Sequence, residues 1–141
     1  MKKKLTQYDV QDIFRQLREC LEPSKVVDVA IDKRRMIAYV AVAFYGNARG
    51  NDCMPDGDVY ALVAPIYEAD DDDRLWARHR NFVVTSDEMP AESMGICEME
   101  QYCHCPARIL KQLSTPRYWC SEANERAIEW RQICKQNAKR K

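Results

Sequence analysis

The sequence predicts an α+β fold: a mainly antiparallel sheet of about four strands with an N-terminal helix and two C-terminal helices packed on it. Three observations carry this. A helical apolar stripe opens the chain, two β-rich runs joined by a short charged connector follow, and two helix-start signals stand near the end.

Thr6 is suited to cap the first helix, and Val10, Ile13, Phe14, Leu17 and Leu21 repeat at helical spacing to give one apolar face. Glu22-Pro23-Ser24 ends it. Val26–Ile31 and Met36–Tyr45 are rich in β-branched and aromatic residues, and Asp32-Lys33-Arg34-Arg35 joins them as a hairpin. Along the second run Val40, Val42 and Phe44 fall on one side and Ala41, Ala43 and Tyr45 on the other, so both faces suit a covering layer. Gly46–Asp58 reads as a long loop and Val59–Ile66 as a third strand, with Pro65 marking its end at an edge or a bulge. Asn81–Thr85 is a short fourth strand, and Ser86–His104 lacks periodicity. Pro106 opens a short helix through Leu113, since the first turn needs no N–H from it. Ser121 caps a final helix from Glu122 to about Asn137, with acidic residues early and basic ones late, as the helix dipole favours. Trp130, Ile133 and Cys134 on it are read as packing.

The chain has 141 residues, 46% hydrophobic and 31% charged, the size of one domain (1–141) with a core and too apolar for a disordered chain. No apolar run reaches membrane-spanning length, and Met1-Lys2-Lys3-Lys4 leads into polar residues instead of a signal-peptide core. The chain is therefore expected to stay in the cytosol. Its 22 basic and 22 acidic residues balance, which argues against duplex nucleic acid as a partner. Glu68-Ala69-Asp70-Asp71-Asp72-Asp73 is an acidic block of the kind that solvates a loop.

Seven cysteines, an odd number without export, point to reduced thiols. Cys97, Cys103, His104 and Cys105 come nearest to a metal cluster, but Cys-x-Cys is too tight for a standard zinc ribbon, so they are read as packed around a loop with no metal. His79 and His104 are the only histidines, and neither is placed to activate a thiol. No phosphate-cradling glycine loop is present, so neither an enzyme nor a resident cofactor is expected. What remains is a set suited to a nucleotide-like ligand: Phe82 to stack on a base, with Tyr102, Tyr118 and Trp119 as alternatives, and Arg80, Arg108, Lys111 and Arg117 to hold phosphate. Arg108 and Lys111 stand three apart, on one face of a short helix.

Taken in order, Asn81-Phe82, Met89-x-x-Glu92, Gly95, Cys105-Pro106-x-x-Ile109-Leu110-x-x-Leu113 and Ala127-x-x-Trp130-Arg131-x-x-Cys134 resemble a domain of phages and integrated elements of Gram-positive gut and soil bacteria. The Val26–Val42 hairpin and the helix before it are similar, more specifically, to the Thoeris anti-defence protein 1 family. The resemblance implies a phage sponge in the cytoplasm of the bacterial host. Such a protein binds a cyclic ADP-ribose-type signal of a TIR-based defence without cleaving it, some members also take cyclic oligonucleotides, and the protein works as a homo-oligomer. Carried over, the aromatic after the last strand is Phe82 and the arginine after Cys-Pro is Arg108, with Asn81, Arg80, Lys111, Gln112 and Glu92 expected around the ligand. The chain departs from the pattern at Ile96, where related domains often have proline. It departs again at Gln112, where a second basic residue is usual, so a phosphate grip from that position is not implied. A different class of function is a mobile-element protein-binding inhibitor or adaptor acting through the acidic block and the Gly46–Asp58 loop.

Overall fold

The computed structural model of the chain describes residues 4–22, 24–43, 57–69, 73–77, 81–82, 102–115 and 121–139. In chain order these form α1 (Gln7–Leu21), β1 (Lys25–Asp32), β2 (Ile37–Ala43), β3 (Val59–Glu68), β4 (Leu75–Ala77), β5 (Asn81–Phe82), α2 (Ala107–Leu110) and α3 (Ser121–Lys139). The arrangement is α+β, with an antiparallel sheet in the order β1-β2-β3 and both β4 and β5 beside β3. No helix among the described residues is long and apolar enough to cross a membrane.

Thr6 starts α1 as expected. Its hydroxyl accepts from the Asp9 N–H at 3.1 Å and the Asp9 carboxylate accepts from the Thr6 N–H at 3.0 Å, a reciprocal cap that satisfies two orphan donors. Ile13, Leu17 and Leu21 of the expected stripe are buried against one face of the sheet, with Val40, Val42, Tyr60, Leu62 and Ala64. The opposite face, Tyr39, Ala41, Ala61 and Val63, packs under residues 102–113 and α3, so β2 is buried along its whole length. Alanines on this second face let the covering layer approach closely. Trp130 and Cys134 are in its core, and Ile133 packs against it.

Hydrogen-bond alternation explains where the sheet departs from expectation. The Ile66 N–H donates to the Met36 carbonyl at 2.9 Å, so even-numbered residues of β3 face β2 and odd-numbered ones face away. Pro65 does not end the strand, which runs on to Glu68. Its missing N–H faces the other side, between the Ile66↔Ala77 and Val63↔Asn81 pairings, where the register slips by one residue. A bulge at that junction needs no donor from β3. β4 itself is unexpected, because Leu75-Trp76-Ala77 is too short for periodicity to reveal. Asn81 and Phe82 pair with Val63 and Leu62, and the rest of the expected fourth strand lies outside the described residues. Pro106 is the N-cap of α2, one position before the first turn, and single-turn bonds carry the chain on from Gln112 to Leu113. α3 starts at Ser121 itself and runs to Lys139.

Edges of such a sheet expose backbone groups that need partners. Gln16 of α1 donates to the Leu75 carbonyl at 2.9 Å and accepts from the Ala77 N–H at 3.0 Å, so its amide stands where a neighbouring strand would. Ser114 does the same at the start of β3, donating its N–H to the Val59 carbonyl at 2.8 Å and accepting the Val59 N–H on its hydroxyl at 2.9 Å. Beside Gln16, the buried Asp12 takes the forked guanidinium of Arg74 at 2.7 and 2.9 Å, while Arg74 also lies over the Trp76 ring at 4.3 Å.

Asp12 gives the fold an acid-sensitive joint. The hydrogen bond from Arg74 holds its carboxyl below the usual carboxylate value against the effect of burial, with Gln16 and Arg15 adding to it. A depressed native pKa contributes stability that is complete above the unfolded value of about 3.9 and is lost as pH falls through the native one. Asp12→Asn should therefore cost about 1–3 kcal/mol at neutral pH and flatten the loss of stability below about pH 4, as read by urea denaturation across pH.

Candidate functional site

The segment expected to grip a ligand is first of all a clamp on the sheet. By the same alternation, from Asp28 onward the outward backbone groups of β1 belong to its odd-numbered residues, Val29 and Ile31. The Val29 N–H donates to Asp28 Oδ1 at 2.9 Å, and its carbonyl accepts from Arg108 Nη2 at 2.7 Å. Arg108 also pairs with the Asp28 carboxylate at 3.1 and 3.3 Å, and Gln112 Nε2 donates to it at 2.9 Å. The bulge that skips Val27 in the β1–β2 register puts Asp28 at the start of this cluster. Burial works to raise the Asp28 carboxyl, but hydrogen bonds from Arg108 and Gln112 hold it below its ordinary value.

Arg108 and Gln112 are thus brought together, on Asp28. Lys111 is exposed beside them. Asn81 and Phe82 lie on β5 beside β3, with β2 and β3 between them and β1 in the sheet order. Arg80 and Glu92 lie outside the described residues, as do Gly46–Asp56, Asp70–Asp72, Cys97 and His79. Cys103, Cys105 and Cys134 are buried in the core of the second face. Burial pushes the Cys105 thiol up and the Cys134 thiol to about 12, so both stay protonated and poorly nucleophilic at neutral pH. Among the described residues no three His, Cys, Asp or Glu side chains converge as a metal site.

Among the described residues, a cavity of ligand size lies elsewhere, at the β1–β2 turn. Asp32 organises that turn: its carboxylate accepts the N–H groups of Arg34 and Arg35 at 3.1 and 3.0 Å and the Arg35 guanidinium at 3.0 Å. Met36, at a φ of 56°, completes the reversal, and its N–H reaches the Asp32 carbonyl at 2.8 Å. Asp32 and Arg35 neutralise each other. Lys33 and Arg34 are left exposed and carry no ion pair among the described residues.

Facing this turn is the stretch His104–Pro106, held by α3 and the sheet. The Trp130 indole N–H donates to the Tyr102 carbonyl at 2.7 Å, Asn137 Nδ2 to the Cys103 carbonyl at 2.8 Å, and the His104 N–H to the Tyr39 hydroxyl at 3.1 Å. Between turn and stretch lies a cleft of about 440 Å³, walled by Ile31, Tyr39, His104 and Pro106 and rimmed by Asp32, Lys33, Arg34 and Arg35. A smaller cavity of about 230 Å³ shares His104 and Pro106 and continues to Cys134 and Asn137. The larger one falls in the range of small-molecule sites. Sequence reasoning passed over this cleft by reading Asp32–Arg35 only as a connector; three consecutive basic residues in a tight turn were the available signal.

Neither a protein-family model, nor a curated protein, nor a solved structure matches this chain.

The clamp predicts a measurable coupling. Arg108→Ala should lower stability by about 1 kcal/mol, and a double-mutant cycle with Asp28→Ala should return about 0.5–1 kcal/mol of interaction, the scale of a half-exposed pair. Additive effects in thermal denaturation would show that the two side chains do not work as a unit.

Proposed function

We propose that this chain is a non-enzymatic binding protein that sequesters a phosphate-bearing cyclic nucleotide of the cyclic ADP-ribose type, or a cyclic oligonucleotide, and so silences a TIR-based defence from a phage or mobile element. The observation that carries the binding part is the cleft at the β1–β2 turn, which joins cationic Lys33 and Arg34 to the apolar surfaces of Tyr39 and Pro106. Cations at the rim suit phosphate, and the apolar walls suit a ring. Retention without turnover needs only such complementarity, with no acid–base pair. The sponge role follows the sequence resemblance, as do action in the bacterial cytoplasm and assembly as a homo-oligomer.

Isothermal titration with cyclic ADP-ribose isomers tests the reading directly. Replacing Lys33 and Arg34 together by alanine should weaken binding at least about tenfold, since each charge-assisted contact contributes about 1.5–3 kcal/mol. Affinity should also fall as salt rises. Ligand released by heating should keep the mass and chromatographic position of the input, and a changed species would sink sequestration. If Phe82→Ala abolishes binding and the Lys33/Arg34 pair does not, the seat is at β5 and not at the turn.

Sedimentation of the purified chain should show a homo-oligomer at micromolar concentration. A monomer at every concentration, or recovery of a partner protein with no small molecule, would favour an adaptor instead.

A further inference from the structure

We infer that the cleft reads its ligand through the backbone of Ile31. The class of ligand is then a phosphate joined to a heteroaromatic ring that carries a hydrogen-bond donor beside an acceptor, as on the Watson–Crick edge of adenine. This rests on the binding reading of the same cleft and adds the protein group that recognises the ring.

Hydrogen-bond alternation in the sheet decides which backbone groups of β1 face outward. In β2 the even-numbered residues face β3, so the odd-numbered ones face β1, where Tyr39 lies opposite Ala30 and Ala41 opposite Asp28. The odd-numbered residues of β1, Val29 and Ile31, therefore turn both N–H and C=O to the free edge. Val29 has both groups taken, by Asp28 and Arg108. Ile31 has neither group claimed by a side chain among the described residues, it is partly exposed, and it lines the cleft. Elsewhere along the sheet, Gln16 and Ser114 close the corresponding groups of β4 and β3. An outward donor and acceptor left open at the wall of a cavity are placed to bind what enters it.

Geometry limits the occupant. A peptide strand adds to an edge through successive outward residues, each about 6.6 Å from the next. On one side of Ile31 the next outward residue, Val29, is shut by Arg108; on the other the chain turns away at Asp32. One donor and one acceptor remain, enough for the edge of a single ring and too few for a strand. Pro106 and Tyr39 offer apolar surface to that ring, and Lys33 and Arg34 stand at the rim of the same cleft for its phosphate.

Titration calorimetry on the whole protein with AMP, purine riboside 5′-monophosphate and ribose 5-phosphate tests this. AMP should bind about tenfold more tightly than the purine analogue, which lacks the amino donor, and ribose 5-phosphate should bind most weakly. Ile31→Pro removes the N–H at a position where an edge strand tolerates proline, because that N–H faces outward. It should weaken AMP about tenfold and leave ribose 5-phosphate unchanged, with the thermal unfolding midpoint near that of the parent. Ile31→Ala, which keeps the backbone, should bind AMP like the parent. Equal affinity for AMP and ribose 5-phosphate, both lost with Lys33 and Arg34, would overturn the inference and leave phosphate binding standing. Loss of AMP binding in Ile31→Ala, or unfolding of Ile31→Pro, would also overturn it. Absence of binding by all three probes would defeat the binding reading itself.

Discussion

Satisfying the open edges of an antiparallel sheet is the constraint on which the rest of this structure depends. A short sheet leaves outward N–H and C=O groups that are costly when buried and adhesive when exposed. Here side chains from the covering layers supply the partners: Gln16 at β4, Ser114 at β3, and the Asp28–Arg108–Gln112 cluster at β1. Residues 107–114 therefore cross the second face from the β1 edge to the β3 edge, fastened at both ends. α3 secures the crossing from above, where Trp130, Arg131 and Asn137 donate to the carbonyls of Tyr102, Ser114 and Cys103.

This fastening also makes the cleft. With His104 tied to Tyr39 and the Cys103 carbonyl tied to Asn137, the stretch leading into Pro106 is held as a wall opposite the β1–β2 turn. The turn is held in its own way, by Asp32 accepting from two successive backbone N–H groups. Both walls are thus set by hydrogen bonds within the fold, which suits binding with little ordering cost. The same accounting separates Arg108 from Lys33 and Arg34. Arg108 has its fork turned to Asp28 and Val29, whereas the two turn residues form no ion pair among the described residues.

Much of the fold was legible because it rests on periodicity. The stripe Ile13, Leu17, Leu21 gives a helix, and the alternation of Val40 and Val42 with Ala41 gives a strand covered on both faces. Thr6 announces the first helix by local chemistry alone, and the structure adds Asp9 as its reciprocal partner. β4 was not legible, since three residues carry no period and its place depends on Gln16 and Asp12 of α1, which hold Ala77 and Arg74. Pro65 was legible as a break but not as a break on one side only, because which neighbour loses the bond depends on strand register.

For the site, spacing put Arg108 and Lys111 on one helix face and the resemblance added Gln112, while tertiary structure decided that Arg108 and Gln112 hold Asp28. Their partner Asp28 lies 80 residues from Arg108 in sequence, and no local pattern announces such an ion pair. Conversely, Lys33-Arg34-Arg35 reads in the sequence only as part of a hairpin connector, and the fold brings His104 and Pro106 opposite it. The longer elements, their amphipathic faces and the Thr6 cap could be read from the chain alone, because they depend on neighbours a few residues apart. Which backbone edges are closed, and which cations stay uncommitted, was settled by packing. Those depend on contacts between distant segments, and a hydrogen-bonding group is free or occupied only once every segment is in place.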